Sequence, residues 1–326
     1  AKNGTNACSN GHGGLDLGVL PRSSVVERSA MLGNRAMWCG GEAPSNTNSV
    51  DYIDIPTLGN AADFGDLTRS VDNNNSFSNR TRFLNAGGTD PSSSNVIESV
   101  EIESRGNFAD FGDQTSAKGE FGTLANSTRG IMGAGYVAPD VVNVIDYITF
   151  ASTGNATDFG DPSITRGGSA GMSSPTRGVF AAGFGPAPGY SELNVIDYVT
   201  IASTGNATDF GDDTGTRDSP TGTSSSTRGL AAGGNSSGQT NVISYVTIAS
   251  TGNATDFGDL TVARNKLNSG ANKTRAVFGG GNTPSDSNVL DYVTIASTGD
   301  AADFGDLSSV RDRVGANSNG HGGLQA

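Results

Sequence analysis

The chain has 326 residues with 34% apolar, only 16% charged, 48 glycines and a net charge of -13. Its 20 basic residues are scattered, which excludes the clustered Lys and Arg that neutralise phosphates, so no nucleic-acid partner is expected. No apolar run approaches the roughly 18 residues that cross a bilayer, so no membrane insertion is expected and the chain reads as soluble. The low charge argues against an acidic disordered tail, and the glycine content favours many short strands with tight turns.

A tetrad, Asp-Phe-Gly-Asp, begins at Asp63, Asp110, Asp158, Asp209, Asp256 and Asp303, at intervals of 47, 48, 51, 47 and 47 residues. Self-similarity at such a period marks a repeat architecture. Each tetrad is preceded by an Arg (Arg35, Arg82, Arg129, Arg177, Arg228, Arg275) and then by an Asn (Asn48, Asn95, Asn143, Asn194, Asn241, Asn288).

In chain order, residues 1–21 hold a degenerate tetrad, Asp16 to Gly18, placed 19 residues before Arg35, the same interval that separates Asp63 from Arg82. From each Arg, a short apolar run ending in glycine, such as Arg275 to Gly281, reads as a buried strand. The Asn-led segment, such as Asn288 to Ala296, alternates and is rich in β-branched and aromatic residues, a strand by period and propensity. Ser250 to Leu260 then reads as a tight turn followed by a short tetrad strand, and 261–273 holds the fourth strand. Four short strands in about 47 residues is the arithmetic of a β-propeller blade, so an all-β propeller in one domain, 1–326, is expected. The units are about 22–67, 68–114, 115–161, 162–212, 213–259 and 260–306. Residues 1–21 with 307–326 form a closing seventh blade in the favoured reading; six blades with an N-terminal arm is the alternative.

The order of these features resembles the kelch repeat, with departures: Tyr and Asp stand in the order Asp-Tyr, and Phe64, Phe111, Phe159, Phe210, Phe257 and Phe304 occupy the place of kelch Trp. The unit is also similar to NVIDYITIATTGNATDFGDLT-type arrays encoded in marine bacteriophage genomes, which are mostly uncharacterised structural or fibre proteins. That resemblance implies a virion or extracellular location, with other virion or surface proteins and host glycans as partners.

The spacing from Asn to tetrad and from tetrad to Arg is fixed, so length varies only between Arg and Asn: 13, 13, 14, 17, 13 and 13 residues. Equivalent loops of a propeller gather on one face, and loops on a rigid scaffold carry recognition. Tyr136, Phe184 and Tyr190 with Asp90, Asp140, Glu192 and Asp286 are therefore the candidate ligand-binding residues. The tetrad itself lacks a kinase's companion motifs and the D-x-D-x-DG spacing of a calcium loop. Its Phe is read as a blade-to-blade anchor and its Asp residues as acceptors for turn amides. The landmark Arg is expected to pair across strands with Asp51, Glu98, Asp146, Asp197 and Asp291. Unit five has Ser244 there, so an Arg228 found in the same place would make that pairing incidental.

The only two histidines, His12 and His321, lie in copies of Ser-Asn-Gly-His-Gly-Gly-Leu; a shared metal site is weighed, and a turn or strand-edge role is favoured. Cys8 and Cys39 leave a bridge unassigned, with Cys39 expected in a buried strand. The sequons Asn155, Asn206 and Asn253 are one repeated turn. No nucleophile, zinc or nucleotide motif is present, so no catalytic residue, metal or cofactor is assigned. The expected function is a non-enzymatic structural or recognition module. Alternatives are a secreted carbohydrate-binding propeller and a divergent propeller hydrolase that uses loop carboxylates.

Overall fold

The structure, a computed structural model, describes residues 33–325. Calls on Cys8, His12 and the Asp16 to Gly18 segment lie outside the described residues. Six four-stranded antiparallel sheets form a β-propeller. The innermost strands, Asn75–Ser78, Gly122–Ala125, Ala170–Ser173, Thr221–Ser224, Asn268–Ala271 and Gly315–Ser318, touch their neighbours around a closed ring. In each sheet the Arg-led strand comes second, the Asn-led strand third and the tetrad strand outermost, as in Asn268–Ala271, Arg275–Gly279, Val289–Thr294 and Ala302–Asp306.

The seven-bladed reading is corrected to six. Gly315–Ser318 does not begin a further blade; it pairs with Arg35–Cys39, Ala36 opposite Ser318 and Cys39 opposite Gly315, and completes the sheet of Ser49–Asp54 and Ala62–Asp66. The physical reason is the order of strands. In the other five sheets the innermost strand directly precedes the Arg-led strand in the chain; the first sheet instead draws its inner strand from near the far end of the chain, and the ring keeps no open inner edge. We number this blade one and count onward in chain order to blade six, which ends at Asp306.

The tetrad is the seam between blades. Its Phe is 2% exposed in all six copies and in five of them stands edge-on to the Tyr of the Asn-led strand, as in Tyr52 and Phe64 at 5.9 Å; blade two has Ser99 in place of that Tyr. Phe64 also packs in one cluster with Phe83, Ile102 and Phe108 of blade two, so the anchor role holds. Gly65 sits at a bulge with φ of 152°, where a Cβ would lie 2.3 Å from the carbonyl oxygen of Gly106 in the next blade. Beside it the amide of Asp66 donates to Asn107 Oδ1 (3.1 Å). The same seam closes the ring, the amide of Asp306 donating to Asn60 Oδ1 (3.2 Å). The reading of the tetrad carboxylates as amide acceptors is thus corrected: the next blade's Asn, or Asp300 in one case, accepts, and Asp63 faces solvent.

The landmark-Arg pairing is also corrected. In five blades the arginine lies over the Tyr ring, 4.3 Å from its centroid for Arg177, Arg228 and Arg275, while Arg82 lies over Phe111 (5.8 Å); the arginine donates to a carbonyl of the following blade, as Arg228 Nη1 does to Ile295 O (2.8 Å). Arg228 keeps this place although its sheet has Ser244. Four of the five buried acids instead take a cation placed just before the innermost strand: Lys118 with Asp146 (3.0 Å), Arg166 with Asp197, Arg264 with Asp291 (3.0 Å) and Arg311 with Asp51 (2.5 Å); Glu98 accepts from Asn85 Nδ2 (3.2 Å) and the amide of Thr68 (2.7 Å). In blade five the acid moves to Asp213, which pairs with Arg217 at 2.7 Å while Ser244 Oγ accepts from the same guanidinium (2.6 Å). An unpaired buried charge is costly, so the acid is relocated rather than lost.

Candidate functional site: an axial cup beneath the loop face

Each innermost strand is entered through one residue in the left-handed conformation: Asn73, Glu120, Gly168, Ser219, Lys266 and Arg313, with φ between 48° and 60°. Each stands ten residues after the first Asp of a tetrad. Their peptide groups form a belt around the ring axis. The amide of Asn73 donates to Arg313 O (3.0 Å), Glu120 to Asn73 O (3.0 Å), Gly168 to Glu120 O (2.6 Å), Lys266 to Ser219 O (3.2 Å) and Arg313 to Lys266 O (2.9 Å). Only glycine, and to a lesser degree Asn, adopts this conformation readily; other residues lose roughly 1–2 kcal/mol in it. The belt therefore imposes one backbone geometry while the side chains differ at every blade.

All six belt residues line a cup open to solvent. Its floor is polar: Asn268 Nδ2 donates to Asn75 Oδ1 (2.8 Å) and to Val314 O (2.9 Å), and Thr221 Oγ1 donates to Asn268 Oδ1 (3.3 Å). Burial pushes the Glu120 carboxyl upward, with Lys266 as the leading opposing influence. Arg313 is engaged with Glu42 and with Asp72 (3.4 Å). Desolvation pushes Asp72 and Asp218 upward and carries Asp312 to about 6.

The variable loops start at this belt. Bridges join Asp72 to Thr89, Gly119 to Tyr136, Gly167 to Phe184, Asp218 to Asn235 and Asn265 to Asn282, so cup and loops share one face. Three candidates come together there. The rings of Tyr136, Phe184 and Tyr190 lie 6.2, 6.4 and 6.0 Å apart, Phe184 buried and Tyr190 39% exposed. The Tyr190 hydroxyl donates to Pro139 O, and Asp140 Oδ1 accepts from the amides of Val141 (2.8 Å) and Ala187 (2.9 Å), tying the two longest loops together. The other acids stay apart: Glu192 Oε1 accepts from the amide of Ser237 (3.1 Å), Asp286 Oδ1 from Asn282 Nδ2 (3.2 Å), and Asp90 is exposed on its own loop. The cup residues were absent from the sequence candidates.

The opposite end is filled by the chain itself. Gly322–Leu324 forms a 3₁₀ turn against the innermost strands of blades three, four and five. A Cβ on Gly323 would lie 1.8 Å from Ala125 O, so this turn requires glycine. His321 Nδ1 accepts from the amide of Gly323 (3.2 Å), which leaves Nε2–H to donate to Ser78 O (2.9 Å). Burial pushes this imidazole down to about 4, so it is neutral. His321 is a turn residue with both ring nitrogens engaged, and among the described residues no cluster of three or more His, Cys, Asp or Glu gathers as metal ligands. Cys39 is buried and unbridged, its thiol held well above its usual range by desolvation.

No protein-family model matches the chain. No curated protein matches it either. The geometry alone classes it as a six-bladed β-propeller.

Proposed function

We propose that this protein is a non-enzymatic recognition module of a virion or other extracellular assembly, binding a host-surface glycan or a neighbouring surface protein through its loop face. The observation that carries the reading is the aromatic group Tyr136, Phe184 and Tyr190, gathered from the two loops whose length departs from the common 13 residues. Of these rings Tyr190 is exposed and Tyr136 half-buried beside the buried Phe184; aromatic rings offer large rigid contact area at low entropic cost, and neighbouring carboxylates such as Asp140 accept hydroxyl hydrogen bonds. The framework beneath repeats closely from blade to blade, which leaves specificity to the places that do not repeat. The virion setting rests on the similarity of the repeat to bacteriophage arrays, and a kelch-like ancestry on the order of features within the blade.

A glycan array and a host-cell binding assay test this on the full chain. Replacing Tyr136 and Tyr190 together by Ala lowers retention by about tenfold or more while the melting temperature holds, since a stacked aromatic contributes roughly 1–3 kcal/mol at such surfaces. Unchanged retention on every surface that binds the parent would overturn the choice of face.

A further inference from the structure

Against a framework that repeats, the six belt positions hold six different residues, Asn73, Glu120, Gly168, Ser219, Lys266 and Arg313. Backbone strain is accepted at most of them, and these are the side chains that line the cup. A closed ring of near-identical blades has an almost symmetric axis, and this belt is where the symmetry is chemically broken. Glu120 and Lys266 stand on blades three and six, opposite each other in the ring. Among the described residues neither makes an ion pair within 4 Å, whereas Arg313 is already engaged by Glu42 and Asp72. The cup therefore presents one carboxylate and one ammonium, neither in an ion pair within 4 Å, across a polar floor.

We propose that the axial cup is a binding site for a small zwitterionic ligand, its cationic nitrogen held by Glu120 and its anionic group by Lys266. The polar floor of Asn75, Asn268 and Thr221 orients the ligand by hydrogen bonds. An anion alone meets the surrounding acids Asp72, Asp218 and Asp312, and a cation alone meets Lys266 and Arg313 in the lining. A ligand bearing both charges answers both walls. This site is separate from the aromatic loop surface, so either can fail without the other.

Isothermal titration of the full chain with glycine, γ-aminobutyrate and ε-aminocaproate, and with hexylamine and caproate as singly charged controls, tests the proposal. At least one amino acid binds, more tightly than either control, and Glu120→Gln and Lys266→Met each weaken that binding by about tenfold or more. The chain has four lysines, so ¹³C-methylation of the unaltered protein gives a second readout: the Lys266 signal moves on addition of the bound amino acid and the Lys273 signal does not. No binding by any amino acid, equal binding by hexylamine, or an unmoved Lys266 signal would overturn it.

Discussion

At the scale of single residues, the fold relies on groups whose charge state is set by burial. Asp291 and Arg264 are both fully buried and meet at 3.0 Å. Asp291→Ala leaves the guanidinium uncompensated and is expected to cost about 3–5 kcal/mol, read as a shift in denaturant midpoint with an unchanged slope. Belt residues run the other way: Ser219→Gly and Lys266→Gly relieve the left-handed strain and are each expected to raise stability by about 1 kcal/mol. A melting temperature that falls in both variants would mean that the side chains, not the backbone, hold the belt. His321 adds a pH dependence with a definite sign. Its folded value, about 4, lies below the ordinary 6.5, so the unfolded chain binds the extra proton first. Its contribution is complete above pH 6.5 and is lost as pH falls toward 4, on the order of 3 kcal/mol in all. His321→Gln is expected to flatten stability over that window. Asp312, raised to about 6, works in the opposite sense: it favours the folded state below its ordinary value and loses that contribution as pH rises through 6.

At the scale of elements, the seam made by each tetrad strand explains why its spacing never varies. Gly258→Ala would place a Cβ 2.5 Å from the Gly299 carbonyl, at a φ of 144°, so opening of the seam between blades five and six is expected, seen as faster amide exchange across Thr255–Asp259 and not across other tetrad strands. Much of this was legible in the sequence. Alternation in the Asn-led segments and the fixed interval to the tetrad placed the second, third and outermost strands, and the length variation marked the loops. Two things were not. A cation eight residues after the first Asp of five tetrads, Lys118 to Arg311, carries no signal in the sequence, because only three-dimensional closure buries it, in four blades against the acid of the Asn-led strand and in blade five against Asp213. The belt was hidden because no residue type repeats there. The available signal was a column at constant spacing in which every unit differs, framed by columns that do not change.

At the scale of the whole molecule, the last described residues serve the ring twice. The strand Gly315–Ser318 closes it, and the turn that follows fills one end of the axis. The other end carries the cup, the belt and every loop that varies in length. Blade count could not be settled from spacing alone, because one strand near the end of the chain and a whole additional blade produce the same surplus of residues. The resulting molecule has one end given to closure and one to variation, and recognition is assigned to the second. The most direct measurement compares two variants of the full chain in host-surface binding. In one, Phe184 to Leu193 is replaced by the six-residue loop Asn282 to Ser287; in the other, the exposed Lys273, on a turn at the filled end, is changed to Ser. The account predicts that the loop exchange abolishes binding while Lys273→Ser leaves it intact. Binding that survives the loop exchange and fails with Lys273→Ser would contradict it.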